Sequence, residues 1–228
     1  MSSSPRYTLY NYFRSSTSYR VRIALEWKGL RQGVDWRYES VHLLRDGGQQ
    51  HAAAYQRLNP MREVPSLVIG EPGAADAQVL AQSVAILEFL EEVHPDPPLL
   101  PAEPLERARV RQVVEVVNSS IHPVQNLKVM RLLTAEFGTD RKANFAWAAR
   151  WIERNFEGLE KLVSRLGGAH TVGDQVTLAD LALVPQIFNG VRFGVDMAPF
   201  PSLRGAYDRA MALEAFQLAA PGVQPDAE

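Results

Sequence analysis

Apolar and polar positions change their rhythm near residue 95 of this chain. Before that point, short strand-like runs alternate with helical patterns. Tyr7-Thr-Leu-Tyr-Asn-Tyr12 reads as a strand, and a helix follows it with Val21, Ala24 and Leu25 on one face and a stop at Gly29. Residues 34–43 alternate in part and predict a second strand, and residues 51–58 predict a short helix. Ser66-Leu-Val-Ile-Gly70 is a compact apolar run ended by glycine, and Gln78-Val-Leu80 is reached through the turn-rich Glu71-Pro-Gly73. Ser83 is placed to cap a helix whose inner face carries Ile86, Phe89, Leu90 and Val93. The order β-α-β-α-β-β-α predicts one small α/β layer.

Prolines at 95, 97 and 98, then at 101 and 104, end that pattern and predict a stiff linker. Beyond Leu105 the period is helical almost throughout, with expected helices at 105–121, 124–137, 141–165, 177–189 and 202–216. Two domains follow: an α/β domain over 7–95 and an all-α domain over 105–220. One helix start is legible in detail. Thr177-Leu-Ala-Asp180 matches a capping box, flanked by Val176 and Leu181 as a hydrophobic staple. Such a device is a folding signal, so loss of Asp180 is expected to harm folding more than chemistry.

Composition narrows the class of partner. The 228 residues are 46 % hydrophobic and 22 % charged, with a net charge of −2 and no basic or acidic run, which argues against nucleic acid. No apolar stretch is long enough to span a membrane, and the Met-Ser-Ser-Ser-Pro-Arg start lacks the apolar core of a secretory signal, so a cytoplasmic protein is expected. Cysteine is absent, which rules out disulfides, thiolate metal sites and a protein thiol as nucleophile. His42, His51, His94 and His170 lack metal-ligand spacing, and no metal is expected.

Three segments carry candidate chemistry. Phe-Arg-Ser-Ser-Thr-Ser-Tyr-Arg-Val-Arg over 13–22 crowds hydroxyls and guanidinium groups at a strand-to-helix turn. A helix N-terminus there offers unpaired N–H groups and partial positive charge, able to hold an anion or lower the pKa of a bound thiol. Simple capping by Ser15–Ser18 is the alternative. In the second segment, Val64-Pro65 precedes a strand, where a cis bond would turn the Val64 peptide outward for pairing with an extended peptide. The third is Gln82-Ser83 at a helix start, suited to a carboxylate.

Taken in order, Ser-Ser-x-Ser-x-Arg-Val-Arg-Ile-Ala-Leu, Asn-Pro-x-x-x-Val-Pro and Gln-Ser resemble the zeta class of glutathione transferases, a class that includes maleylacetoacetate and maleylpyruvate isomerases. Asp46-Gly-Gly-Gln-Gln50, Ile121-His-Pro-Val-Gln-Asn126, the run 172–180 and the closing Glu214-Ala-Phe…Gln-Pro-Asp226 extend the likeness over nearly the whole chain. The resemblance implies a thioredoxin-like α/β domain followed by a helical domain, with glutathione as cofactor. It places Ser15, Ser16 and Thr17 at the thiol, Ser16 and Thr17 ahead of Ser15. Gln50 is assigned to the glycine end, Val64 before cis-Pro65 to the cysteinyl backbone, and Gln82 and Ser83 to the γ-glutamyl carboxylate. Arg14, His122, Asn126 and Arg192 are expected around a small dicarboxylate keto acid, and a homodimer is expected. The class pattern has Cys where this chain has Thr17, which tilts the substrate towards maleylpyruvate, as His122 does. Gly48-Gln-Gln50 and Asn59-Pro-Met61 tilt it back towards maleylacetoacetate. A transferase acting on α-haloacids is the other reading.

Overall fold

A computed structural model describes residues 5–228. They fall into two compact units, one running to residue 97 and joined by 214–228, the other 98–213. In the first unit, β1 (Tyr7–Asn11), α1 (Ser16–Trp27), β2 (Trp36–Ser40), α2 (Ala53–Leu58), β3 (Ser66–Ile69), β4 (Gln78–Ala81) and α3 (Ser83–Val93) follow in the expected order. The sheet order is β2-β1-β3-β4; β1 runs parallel to β2 and antiparallel to β3, and β3 pairs antiparallel with β4. This is the thioredoxin-like arrangement that the resemblance implies. Buried Leu9 and Leu67 on the central strands, with Ile23, Leu25, Ile86 and Leu90 on α1 and α3, build its core.

Several boundaries differ from the sequence reading. The second strand is shorter than 34–43, because Val34 and Asp35 belong to a turn whose N–H groups bond the Arg31 carbonyl. The 51–58 helix splits into a 3₁₀ turn at Gln49–His51 and α2. Residues 214–220, assigned from sequence to the helical domain, pack with the first unit, where α9 (Glu214–Leu218) lies against α1 and buries Phe216 and Ala219.

The second unit holds α4 (Pro104–Glu115), α5 (Leu127–Phe137), α6 (Arg141–Leu166), α7 (Leu178–Phe193) and α8 (Pro201–Met211). The predicted helix 105–121 stops being α-helical at residue 116 and continues as a π-helical segment, Val116–Ile121. The predicted helix 202–216 is two helices, α8 and α9. α7 is apolar on nearly all sides and packs against α4, α6 and α8, as a helix buried all round must. It runs past 189 to Gly194, whose φ of 91° ends it. Gly190 lets it approach α6 closely: a Cβ there would lie 3.5 Å from Ile152 and Phe156. No helix among the described residues is long and apolar enough to cross a membrane.

Candidate active site

The turn between β1 and α1 is built from its own hydroxyls. Ser15 is the N-cap of α1 in extended backbone, and its Oγ accepts the Ser18 N–H at 3.2 Å. Thr17 Oγ1 donates to the Val64 carbonyl at 3.1 Å, which ties the turn to the segment before β3. Ser15 Oγ lies 3.0 Å from Thr17 Oγ1. Thr17 has one proton and spends it on Val64, so Ser15 donates in that pair. An oxygen already accepting a backbone N–H is a better donor through its own O–H. No acidic residue stands in the first turn of α1, so nothing in that turn neutralises the positive end of the helix.

Exposure reorders the three hydroxyl candidates. Arg14, Ser15 and Thr17 are half-buried and reachable, whereas Ser16 is only 3 % exposed and its Oγ is sealed from solvent. Ser15 therefore moves ahead of Ser16. The sequence could not separate them, because adjacent helical residues differ by packing alone. Arg14 lies over the Phe13 ring, 4.7 Å from its centroid, and 4.0 Å from the Glu228 carboxylate.

The Val64-Pro65 bond is cis, as the sequence suggested. Asn59 and Tyr55 hold the preceding turn: the Asn59 amide donates to the Glu63 carbonyl at 2.8 Å, and the Tyr55 hydroxyl does so at 2.6 Å. Burial pushes the Tyr55 phenol up to about 12, so it stays a protonated donor. Beneath this turn Tyr12, Phe13, Val41, Tyr55 and Val64 form one apolar cluster.

Gln50 is buried, and its side chain folds back over Gly48. A Cβ at Gly48 would lie 2.6 Å from the Gln50 amide nitrogen, and the Gly48 φ of 106° is itself a glycine conformation. His42 organises this loop by accepting the N–H groups of Leu44 and Arg45 on Nδ1, at 3.2 and 2.9 Å.

Gln82, not Ser83, is the N-cap of α3, and it makes no side-chain cap bond. Its φ of 71° is unusual for a non-glycine residue; such a conformation is kept where the surroundings enforce it, often at functional sites. Ser83 occupies the first helical position, and its hydroxyl accepts a bond from the buried Arg20 at 3.2 Å. From sequence, Arg20 is one of the guanidinium groups of 13–22 with no role of its own; its bond to Ser83 needs the packing of α1 on α3.

The other expected residues lie in the second unit. His122 ends the π-helical segment, its N–H bonded to the Val117 carbonyl at 2.9 Å. Asn126 caps α5 through its side-chain oxygen, bonded to the Lys128 N–H at 3.1 Å, so that oxygen serves folding. Their loop is tied to α7 by Gln125, whose amide donates to Gln186 at 3.3 Å. Arg192 lies in the last turn of α7 rather than after it, exposed, with its guanidinium 4.4 Å from the Phe193 centroid and 3.5 Å from Asn189 Oδ1.

Known proteins share this fold. Residues 14–93 match the Glutathione S-transferase, N-terminal domain family, and residues 126–217 match the Glutathione S-transferase, C-terminal domain family. Maleylacetoacetate isomerase of Dictyostelium discoideum is 44 % identical over 96 % of this chain and 95 % of its own. Maleylpyruvate isomerase of a Ralstonia species is 43 % identical over 96 % of this chain and 98 % of its own. The crystal structure of maleylacetoacetate isomerase from Anaeromyxobacter dehalogenans with GSH bound in its active site superposes with a TM-score of 0.85 at 44 % identity, covering 97 % of this chain and 98 % of that one. The same protein with bound dicarboxyethyl glutathione and citrate gives a TM-score of 0.84 at 41 % identity, covering 97 % of each chain. The chain belongs to the glutathione transferase family, on the branch of its zeta-class isomerases.

Proposed function

We propose that this chain is a glutathione-dependent cis–trans isomerase of a maleyl keto acid, maleylacetoacetate first. The observation that carries the reading is the reachable Ser15–Thr17–Val64 chain at the acid-free N-terminus of α1. The residues present fit glutathione. Ser83, backed by the Arg20 guanidinium, suits a carboxylate; the Gly48 cradle orients Gln50; the Val64 peptide beside cis-Pro65 suits an extended backbone.

Glutathione, when bound, supplies a thiolate that makes the maleyl double bond single for long enough to rotate, and it is not consumed. The rest falls to the protein. Ser15 turns its O–H from Thr17 towards the sulfur and, with the α1 N-terminus, favours the ionised thiol. Thr17 keeps its proton on Val64 and holds the two turns together. Gln82 and Ser83 fix one end of the tripeptide and Gln50 the other. Arg14 and Arg192 are assigned to the substrate carboxylates, which guanidinium groups bind through paired, directional N–H bonds. His122 is assigned to the same keto acid, and Asn126 through its free amide N–H groups.

The maleylpyruvate isomerase relative, at nearly the same identity, supports maleylpyruvate as the second substrate to test. Purified protein is mixed with each keto acid, with and without glutathione. The expected result is glutathione-dependent formation of the fumaryl isomer without thiol loss, fastest with maleylacetoacetate. Conversion of neither, with thiol consumed by α-haloacids, would make the chain a conjugating transferase instead. A homodimer is part of the proposal, supported by the prevalence of two-fold symmetric oligomers and checked by sedimentation. A cytoplasmic location is also part of it, supported by the chemistry proposed, which needs glutathione in its reduced thiol form, as the cytosol keeps it.

A further inference from the structure

The closing segment, residues 214–228, returns to the first unit and ends against the β1–α1 turn. Two charged residues meet there. Arg22 of α1 is fully buried, and its guanidinium donates to four oxygens: the Ala219 carbonyl at 3.0 Å, Asn11 Oδ1 at 2.9 Å, the Tyr12 carbonyl at 3.4 Å and the Phe13 carbonyl at 3.0 Å. Asp226 accepts the Phe13 N–H at 3.3 Å and the Ser40 hydroxyl at 2.8 Å on one oxygen, and the Tyr38 hydroxyl on the other. Phe13 is thus held on both sides, its N–H by Asp226 and its C=O by Arg22. Two residues later stands Ser15, whose own N–H bonds the Tyr12 carbonyl at 2.9 Å. Burial works against the charge on Arg22, and the Asp226 carboxylate works for it.

We propose that Asp226 is a positioning residue for the thiol-binding turn: with Arg22 it clamps the Phe13 backbone and so fixes where the Ser15 hydroxyl oxygen stands. The inference rests on the function proposed above. A hydroxyl stabilises a thiolate only when its O–H points at the sulfur, and small errors of placement lower such electrostatic help steeply. α1 is anchored by its packing on α3 and α9, but the three residues before Ser15 leave the sheet and need their own ties. Asp226 supplies one from more than two hundred residues away in sequence.

The test compares wild type, Asp226→Ala, Asp226→Asn and Tyr38→Phe. Three quantities are read: amide exchange over residues 13–18 in ligand-free protein, glutathione affinity, and the titration of the bound thiol by thiolate absorbance. In Asp226→Ala, exchange is expected to rise about tenfold. The bound thiol pKa is expected to rise by about one unit, a tenfold loss of thiolate, with affinity kept within about threefold. Asp226→Asn, which keeps an acceptor for Phe13, is expected to restore part of both. A wild-type thiol lowered as proposed, and equally lowered in Asp226→Ala, overturns the clamp and leaves the isomerase reading standing. A wild type that binds glutathione with an ordinary thiol pKa overturns both. If Asp226→Ala does not fold, Tyr38→Phe removes one of the three hydrogen bonds to Asp226 and decides instead: a shift in the same direction of about twofold supports the clamp, and an unshifted thiol overturns it.

Discussion

The helix starts of α1 and α7 use the same residue types to opposite ends. At α7, Thr177 and Asp180 complete a capping box, and Asp180 is 0 % exposed. Its two oxygens also take the Thr171 N–H at 2.9 Å and hydroxyl at 2.7 Å, beside the Thr177 N–H at 2.8 Å. That helix end carries its own buried anion and has no polar valence left for a ligand. At α1, Ser15 caps in the same way, but the position matching Asp180 is Ser18, and no acid stands in the turn. Its cap is reachable, and its positive end is open to an anion brought from outside. A cap alone does not mark a binding site. A cap without an internal carboxylate, with its hydroxyl near solvent, leaves that end of the helix free to take an anion from outside.

The largest effect that sharpens this contrast is on folding. Asp180→Ala should lower stability by about 3 kcal/mol, read as a fall in Tm of about 10 °C, while the bound thiol titrates as in wild type. Ser15→Ala should do the reverse: isomerisation falls about a hundredfold, and stability loses only the cap, about 1 kcal/mol. Ser18→Asp gives α1 the internal anion of α7; the bound thiol should then rise by about one pKa unit, checked by the same absorbance titration. An unchanged thiol in that variant would break the comparison. Arg192→Ala tests the other end of α7, where the helix is assigned to the substrate. The KM for the keto acid should rise about tenfold, with glutathione affinity kept. Smallest of all is Ser16→Ala. Its sealed hydroxyl has no hydrogen-bond partner among the described residues, so activity should hold within about twofold and stability should not fall.

What could be read from the sequence was local. The T-x-x-D box, the hydroxyl turn after β1, the Val64-Pro65 turn and the order of elements all depend on residues a few positions apart. What escaped depends on packing between distant segments. Ser16 could not be ranked below Ser15 until α1 was packed. Ser83 reads from sequence as a cap or as a carboxylate site; with Gln82 at positive φ it stands one position into α3 and accepts a bond from Arg20. From sequence Gly48 is only one member of the 46–50 run; its use is the space it leaves for the Gln50 amide. Residues 214–220 read as part of the helical domain because the period over 202–216 is helical, and only α9 packed on α1 shows where they belong. Asp226 was visible in a Gln-Pro-Asp run, but nothing local in that run points to Phe13.

The most direct test of the account is the titration of the glutathione thiol bound to wild type and to Ser15→Ala. The account predicts a thiol well below its ordinary range of about 8.5–9 in wild type, returning towards that range in the variant. The same titration in both proteins would contradict it, and would mean that Ser15 caps a helix and does no more.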